Sequence, residues 1–114
     1  MARLSTKLRS FAYDTAQTRT GIAFWCPGCD GSHAVVTSDS SGKRPLWTWD
    51  GNVDAPTIAP SILVRVEWSK MVEAGDDPSQ WKDTVCHSFV RAGMIQFLGD
   101  CTHVLAGKTM PLPD

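Results

Sequence analysis

The sequence predicts a mostly β domain, a small antiparallel sheet or sandwich stapled by a structural zinc site, with one or two short helical turns. Three observations point there. Six short apolar or β-branched segments alternate with tight-turn chemistry. Helix-start signals are confined to one polar stretch, residues 69–83. Four cysteines sit in a chain of 114 residues, a size at which burial alone is marginal and an added staple helps.

The elements follow in order. Residues 4–20 are polar and threonine-rich, with Leu4, Leu8, Phe11 and Tyr13 as the large apolar anchors, which predicts a short strand or turn near 8–13 inside a possible N-terminal arm, 1–21. Ile22-Ala23-Phe24-Trp25 is a compact apolar run. Cys26-Pro27-Gly28-Cys29-Asp30-Gly31-Ser32 is dense in turn formers, and Ala34-Val35-Val36-Thr37 is rich in β-branched residues, so this region reads as strand, knuckle, strand. Residues 38–44 form a polar loop. Leu46-Trp47-Thr48-Trp49 alternates, placing Trp47 and Trp49 on one face before Asp50-Gly51 turns the chain.

Pro56 and Pro60 forbid a helix over 55–61. Residues 62–68 then make the longest strand, expected to be central, with Ile62, Val64, Val66 and Trp68 on one face. In the polar stretch, Gly75 can end a turn begun at Ser69. Asp77-Pro78-Ser79-Gln80 supplies a capping acid, a proline at the first helical position and a glutamine three residues after the cap. Residues 85–90 and 94–98 flank Arg91-Ala92-Gly93, which fits a three-residue hairpin loop.

Composition excludes several classes of function. One domain spans 1–114, with no repeat and no linker. Eleven Lys and Arg against twelve Asp and Glu leave a net charge of −1, so no overall field draws the chain onto nucleic acid or an anionic membrane. No apolar run approaches the roughly 18 residues of a membrane helix, and the basic N-terminus lacks an apolar signal core, so an intracellular location is expected.

In a reducing compartment thiols serve as metal ligands rather than disulfides. The two-residue gap of Cys26-Pro27-Gly28-Cys29 lets both thiolates reach one tetrahedral Zn2+. A redox pair preceded by Trp25 is the alternative, but such pairs open a helix, and Asp30-Gly31-Ser32 followed by β-branched residues does not continue as one. The remaining ligands come from Cys86, His87, Cys101 and His103. With a three-residue loop, Val90 pairs with Met94, Phe89 faces Ile95, His87 faces Phe97 and Cys86 faces Leu98. His87 then packs inside between Phe89 and Phe97, while Cys86 points to the other side with Ser88. Cys101 follows Leu98 closely enough to bend back toward Cys86. The predicted ligands are Cys26, Cys29, Cys86 and Cys101, with His103 in reserve. His33 reads as a loop residue, and no histidine forms a legible triad.

Phe24-Trp25-Cys26-Pro27-Gly28-Cys29, Trp47-Thr48-Trp49-Asp50-Gly51, Pro56-Thr57, Pro60-Ser61, Cys86-His87-Ser88-Phe89-Val90 and Asp100-Cys101-Thr102-His103 together resemble a family of small phage and prophage proteins often labelled "ammonia monooxygenase". The resemblance runs from about Ile22 to the C-terminus and leaves residues 1–21 outside. It implies Cys26, Cys29 and Cys86 as ligands. Relatives carry a histidine just before the late aromatic, where this chain has Ser88, which leaves the fourth ligand open. The labelled activity implies a membrane-bound copper enzyme, and neither the spans nor a suitable ligand set is present.

The resulting expectation is a non-catalytic phage accessory or virion protein in the host cytoplasm or the particle. It would be a zinc-stabilised module binding other phage proteins or copies of itself, with five tryptophans as possible anchors and Trp81 the best exposed candidate. Two other readings stand beside it. A nucleic-acid binder would use Arg3, Lys7, Arg9 and Arg19, although the rest of the chain is net acidic. A small zinc hydrolase would have His33, His87 or His103 in place of one cysteine.

Overall fold

The computed structural model describes residues 2–67, 75 and 82–114, which form nine strands in two antiparallel sheets. The first sheet has the order β1 (Ala2–Arg3), β2 (Leu8–Ala12), β3 (Arg19–Cys26), β4 (Gly31–Asp39). The second runs β5 (Thr48–Trp49), β6 (Ile58–Val66), β7 (Thr84–Arg91), β8 (Met94–Phe97), β9 (Thr109–Pro111). Among the described residues there is no helix, and none is long and apolar enough to cross a membrane. The predicted helical turns over 69–83, together with Trp68 and Trp81, lie almost entirely outside the described residues.

Period-two alternation builds the core between the sheets. Leu8, Ile22, Phe24, Cys26 and Val35 enter from the first sheet, and Ile58, Ile62, Cys86, Val90, Ile95 and Phe97 from the second. Each such apolar side chain contributes about 1.5–3 kcal/mol of burial. Trp47 and Trp49 pack together against this core, as the alternation predicts. Leu8 is fully buried and β2 pairs with β3 in register from Leu8↔Phe24 to Ala12↔Thr20, so part of the stretch read as an arm belongs to the first sheet.

The β3–β4 hairpin closes at Cys26↔Gly31, confirming strand, knuckle, strand. β4 begins three residues before the predicted Ala34, so His33 falls in phase with Val35 and is buried rather than lying in a loop. β6 lies second in its sheet and carries Pro60 within it, because two extra residues bulge between the pairs Ile58↔Val90 and Ile62↔Ser88.

The late hairpin differs from the prediction by one register step. Arg91 pairs with Met94 and Val90 with Ile95, leaving only Ala92 and Gly93 in the turn, with φ of 49° and 77°. Two positive φ values define the tight turn whose twist matches that of the strands. Alanine in its first position conceals it from a sequence reading, since that position favours asparagine or aspartate. A Cβ on Gly93 would also press on Ala55. The one-step slip exchanges the faces of β7. Cys86, Ser88 and Val90 point into the core, whereas His87 and Phe89 face outward, so His87 does not pack inside against Phe97.

Candidate active site and metal cluster

Three segments converge on the outer face of the second sheet. On β6 the bulge formed by residues 59–61 turns Ser61 out to the same face as Leu63. It is pinned by the indole Nε1 of Trp47, which donates to the Ser61 carbonyl at 3.3 Å, and by Thr48 Oγ1, which donates to the Ala59 carbonyl at 3.2 Å. On β7 the alternation puts His87 on this face. The third segment is the turn after β8, where Cys101 N–H donates to the Leu98 carbonyl at 3.2 Å and Asp100 occupies the third position. Leu98 N–H donates to the His87 carbonyl and Thr102 N–H to the Val85 carbonyl, each at 2.9 Å, so this turn is tied to β7 on both sides of Asp100.

The outcome is a relay. Asp100 Oδ2 lies 3.1 Å from His87 Nδ1, and His87 Nε2 lies 3.0 Å from Ser61 Oγ. An ionised carboxylate only accepts, so Nδ1 carries the proton and donates to Asp100. The lone pair of Nε2 is left to accept the Ser61 hydroxyl proton. This is the arrangement of nucleophile, base and orienting carboxylate that activates a serine. The site is open to solvent: the side chains of His87 and Asp100 are 25% and 56% exposed, and Leu63, cross-strand from His87, is 55% exposed.

Directly behind this face, the inward side of β7 presents Cys86 to the knuckle. Cys26, Cys29, His33 and Cys86 bring one ligand atom each to within 4.8 Å of one another, a set that could hold a metal ion. Cys26 Sγ and Cys86 Sγ are 3.8 Å apart. Two sulfurs at ~2.3 Å from a tetrahedral Zn2+ would be separated by ~3.8 Å, so the spacing fits. The Nδ1 atom of His33 is buried without a hydrogen-bond partner among the described residues, the condition of a donor set that expects a ligand. The hydrogen bond from Cys86, assisted by His33, lowers the Cys26 thiol to about 3, against desolvation that opposes it. The same contact with Cys26, then burial, pushes Cys86 upward. Four such groups packed together are most easily satisfied by a cation that lets every sulfur ionise.

Cys101, predicted as the fourth ligand, falls in a second group with Cys86 and His103. Its sulfur accepts from His87 N–H and donates to the His87 carbonyl, both at 3.2 Å. The ring of His103 accepts at Nδ1 from Leu105 N–H at 3.2 Å, so in the neutral ring Nε2 bears the proton, and that buried N–H, like His33 Nδ1, has no hydrogen-bond partner among the described residues. Gly28 is the close-approach position beneath that ring, where any Cβ would overlap it.

Over residues 2–98 the chain matches the sequence model of a family described as the bacterial ubiquitination-like system serine protease, BubE. The chain belongs to the BubE family. The match begins at residue 2 and so includes residues 2–21, which the phage-family resemblance left out. No curated protein and no solved structure matches the chain. Membership of a serine protease family in a bacterial system overturns the expectation of a non-catalytic phage accessory or virion module, and with it the expectation that the chain is not an enzyme. The register expected from a three-residue loop places His87 inside, one step from the observed pairing. With His87 on the core face, neither Ser61 nor Asp100 could be connected to it, although Asp100 is the acidic neighbour of the late histidines. The available signal was Ala92-Gly93 as a two-residue turn, which puts His87 on the outward face; the bulged β6–β7 pairing then brings Ser61 to it.

Proposed function

We propose that the chain is a serine peptidase that cleaves an acyl bond in a polypeptide substrate of a bacterial ubiquitination-like system, with Ser61 as nucleophile, His87 as general base and acid, and Asp100 orienting the imidazole. The observation that carries this reading is the Asp100–His87–Ser61 relay at 3.1 and 3.0 Å. Ser61 Oγ attacks the carbonyl carbon as its proton passes to His87 Nε2. The imidazolium then protonates the leaving group as the acyl–enzyme forms, and the same two residues, with water as nucleophile, release the acid and regenerate the serine. The exposed Asp100 and Leu63 on either side of the partly exposed His87 suit a substrate presented as a chain on a protein surface.

The family description and the Ser61–His87 pair, both within the matched residues 2–98, each support a serine nucleophile. We further infer that Cys26, Cys29, His33 and Cys86 hold a structural Zn2+, supported by their spacing and the unpartnered His33 Nδ1. A closed set of four protein ligands leaves no position for a catalytic water, so the ion would supply rigidity and the serine the chemistry. The four free cysteines suit a reducing, intracellular compartment.

Labelling with a fluorophosphonate probe tests the assignment. The probe is expected to modify wild-type protein at Ser61, located by peptide mass spectrometry, and to fail on folded Ser61→Ala and His87→Ala. Modification at another serine, or undiminished labelling of His87→Ala, would reject it.

A further inference from the structure

The Asp100–His87 contact needs the main chain of β7 and the 98–102 turn to be held at fixed separation, and two side chains of the turn reach across that gap: Thr102 to Val85, and Cys101 to His87 itself. Cys101 Sγ is bonded to both main-chain groups of the same residue, His87 N–H and His87 C=O, each at 3.2 Å. Cys101 is buried, next in the chain to Asp100, and lies on the core side of a strand whose other side carries the His87 ring. Other bonds flank it: Leu98 N–H on the same His87 carbonyl at 2.9 Å, and Thr102 Oγ1 accepting from Val85 N–H at 3.0 Å. All of them act on Val85 and His87, and none touches Cys26, Cys29 or His33.

We propose that Cys101 is a positioning residue for the Ser61–His87–Asp100 relay, acting as a hydrogen-bonding thiol on the His87 backbone rather than as a metal ligand. The inference rests on the serine-peptidase reading. The thiol fits because it is at once an S–H donor and a sulfur acceptor. A residue with neither capacity leaves the His87 N–H unpaired and the turn held to β7 only at its ends, by the Leu98 and Thr102 bonds, with nothing fixing the stretch between them beside Asp100. Because Asp100 and Cys101 are adjacent, any such drift lengthens the contact that keeps the proton on Nδ1. Displacements near 1 Å in groups of this kind cost roughly 100-fold in rate.

The test uses the fluorophosphonate probe with the full chain, separating the maximal inactivation rate from the probe concentration giving half that rate. Cys101→Ala, and Cys101→Val as a variant that fills the same space should alanine fail to fold, are expected to lower the maximal rate roughly tenfold or more. The half-saturating concentration and the metal content should stay at wild-type values. Cys101→Ser, which keeps both a donor and an acceptor, should recover most of the rate. Wild-type rates in the alanine and valine variants would overturn the proposal. So would a serine variant as slow as alanine, or loss of the bound metal in all three, which would make Cys101 a ligand. Absence of Ser61 labelling in wild-type protein would instead remove the peptidase reading itself.

Discussion

Replacing Asp100 by asparagine removes the charge from the relay while preserving its shape. In the transition state His87 is an imidazolium, and the carboxylate oxygen sits 3.1 Å from its Nδ1. Two unit charges at that distance attract by about 1.3 kcal/mol in a water-like medium and about 5 kcal/mol at an effective dielectric of 20. With 56% of the Asp100 side chain exposed, the value belongs nearer the lower end, at about 2–3 kcal/mol. The asparagine can also donate its amide N–H to Nδ1, trapping the tautomer that cannot accept from Ser61. The charge loss alone corresponds to a roughly 30- to 150-fold fall in the rate of Ser61 modification, well short of the roughly 10⁴-fold loss found where the carboxylate is buried. Rates of fluorophosphonate labelling for wild type and Asp100→Asn, measured at low salt on samples of equal thermal stability, give the number. A variant within threefold of wild type would show that Asp100 does not act on His87.

Further outcomes follow from other parts of the molecule. Purified protein should carry one zinc per chain, which Cys26→Ser, Cys86→Ser and His33→Ala each reduce. Stripping it with a chelator should lower the melting temperature and slow Ser61 labelling together, because Cys86 adjoins His87; retained zinc in His33→Ala would disprove the four-ligand set. Ala92→Asn should stabilise the fold by about 0.5–1 kcal/mol in urea denaturation, since asparagine tolerates the positive φ of 49° better than alanine. The Asp39 carboxyl, bonded by Ser41 and then by Arg19, is lowered to about 2. Its folded value is below the unfolded one near 4, so its stabilisation is present above pH 4 and fades as pH falls toward 2; Asp39→Asn should flatten acid unfolding in that window.

Much of the fold could be read from short-range chemistry. Alternation in residues 22–25 and 34–37 around a turn-rich Cys26–Cys29 knuckle specifies a hairpin, because side-chain period and turn geometry act over a few residues. The same locality marks Trp47 and Trp49 as one face and Cys26, Cys29 and Cys86 as metal-ligand candidates. His33 was within reach too, in phase with Val35 once the strand is extended backward by one residue pair.

The relay is different in kind. Ser61 lies 26 residues before His87, and Asp100 lies 13 after it. No spacing rule joins them, since the nucleophile is aimed by a bulge between two strands and the carboxylate by a turn stitched to a third segment. Side chains alternate with a period of two, so whether His87 meets the core or Ser61 depends on one residue of loop length. The amino-acid order thus determined a β domain with a cysteine cluster, through contacts between near neighbours. Only the pairing of β6, β7 and the 98–102 turn decided which histidine meets which serine and which carboxylate, because that pairing sums long-range hydrogen bonds and burial that no local window contains.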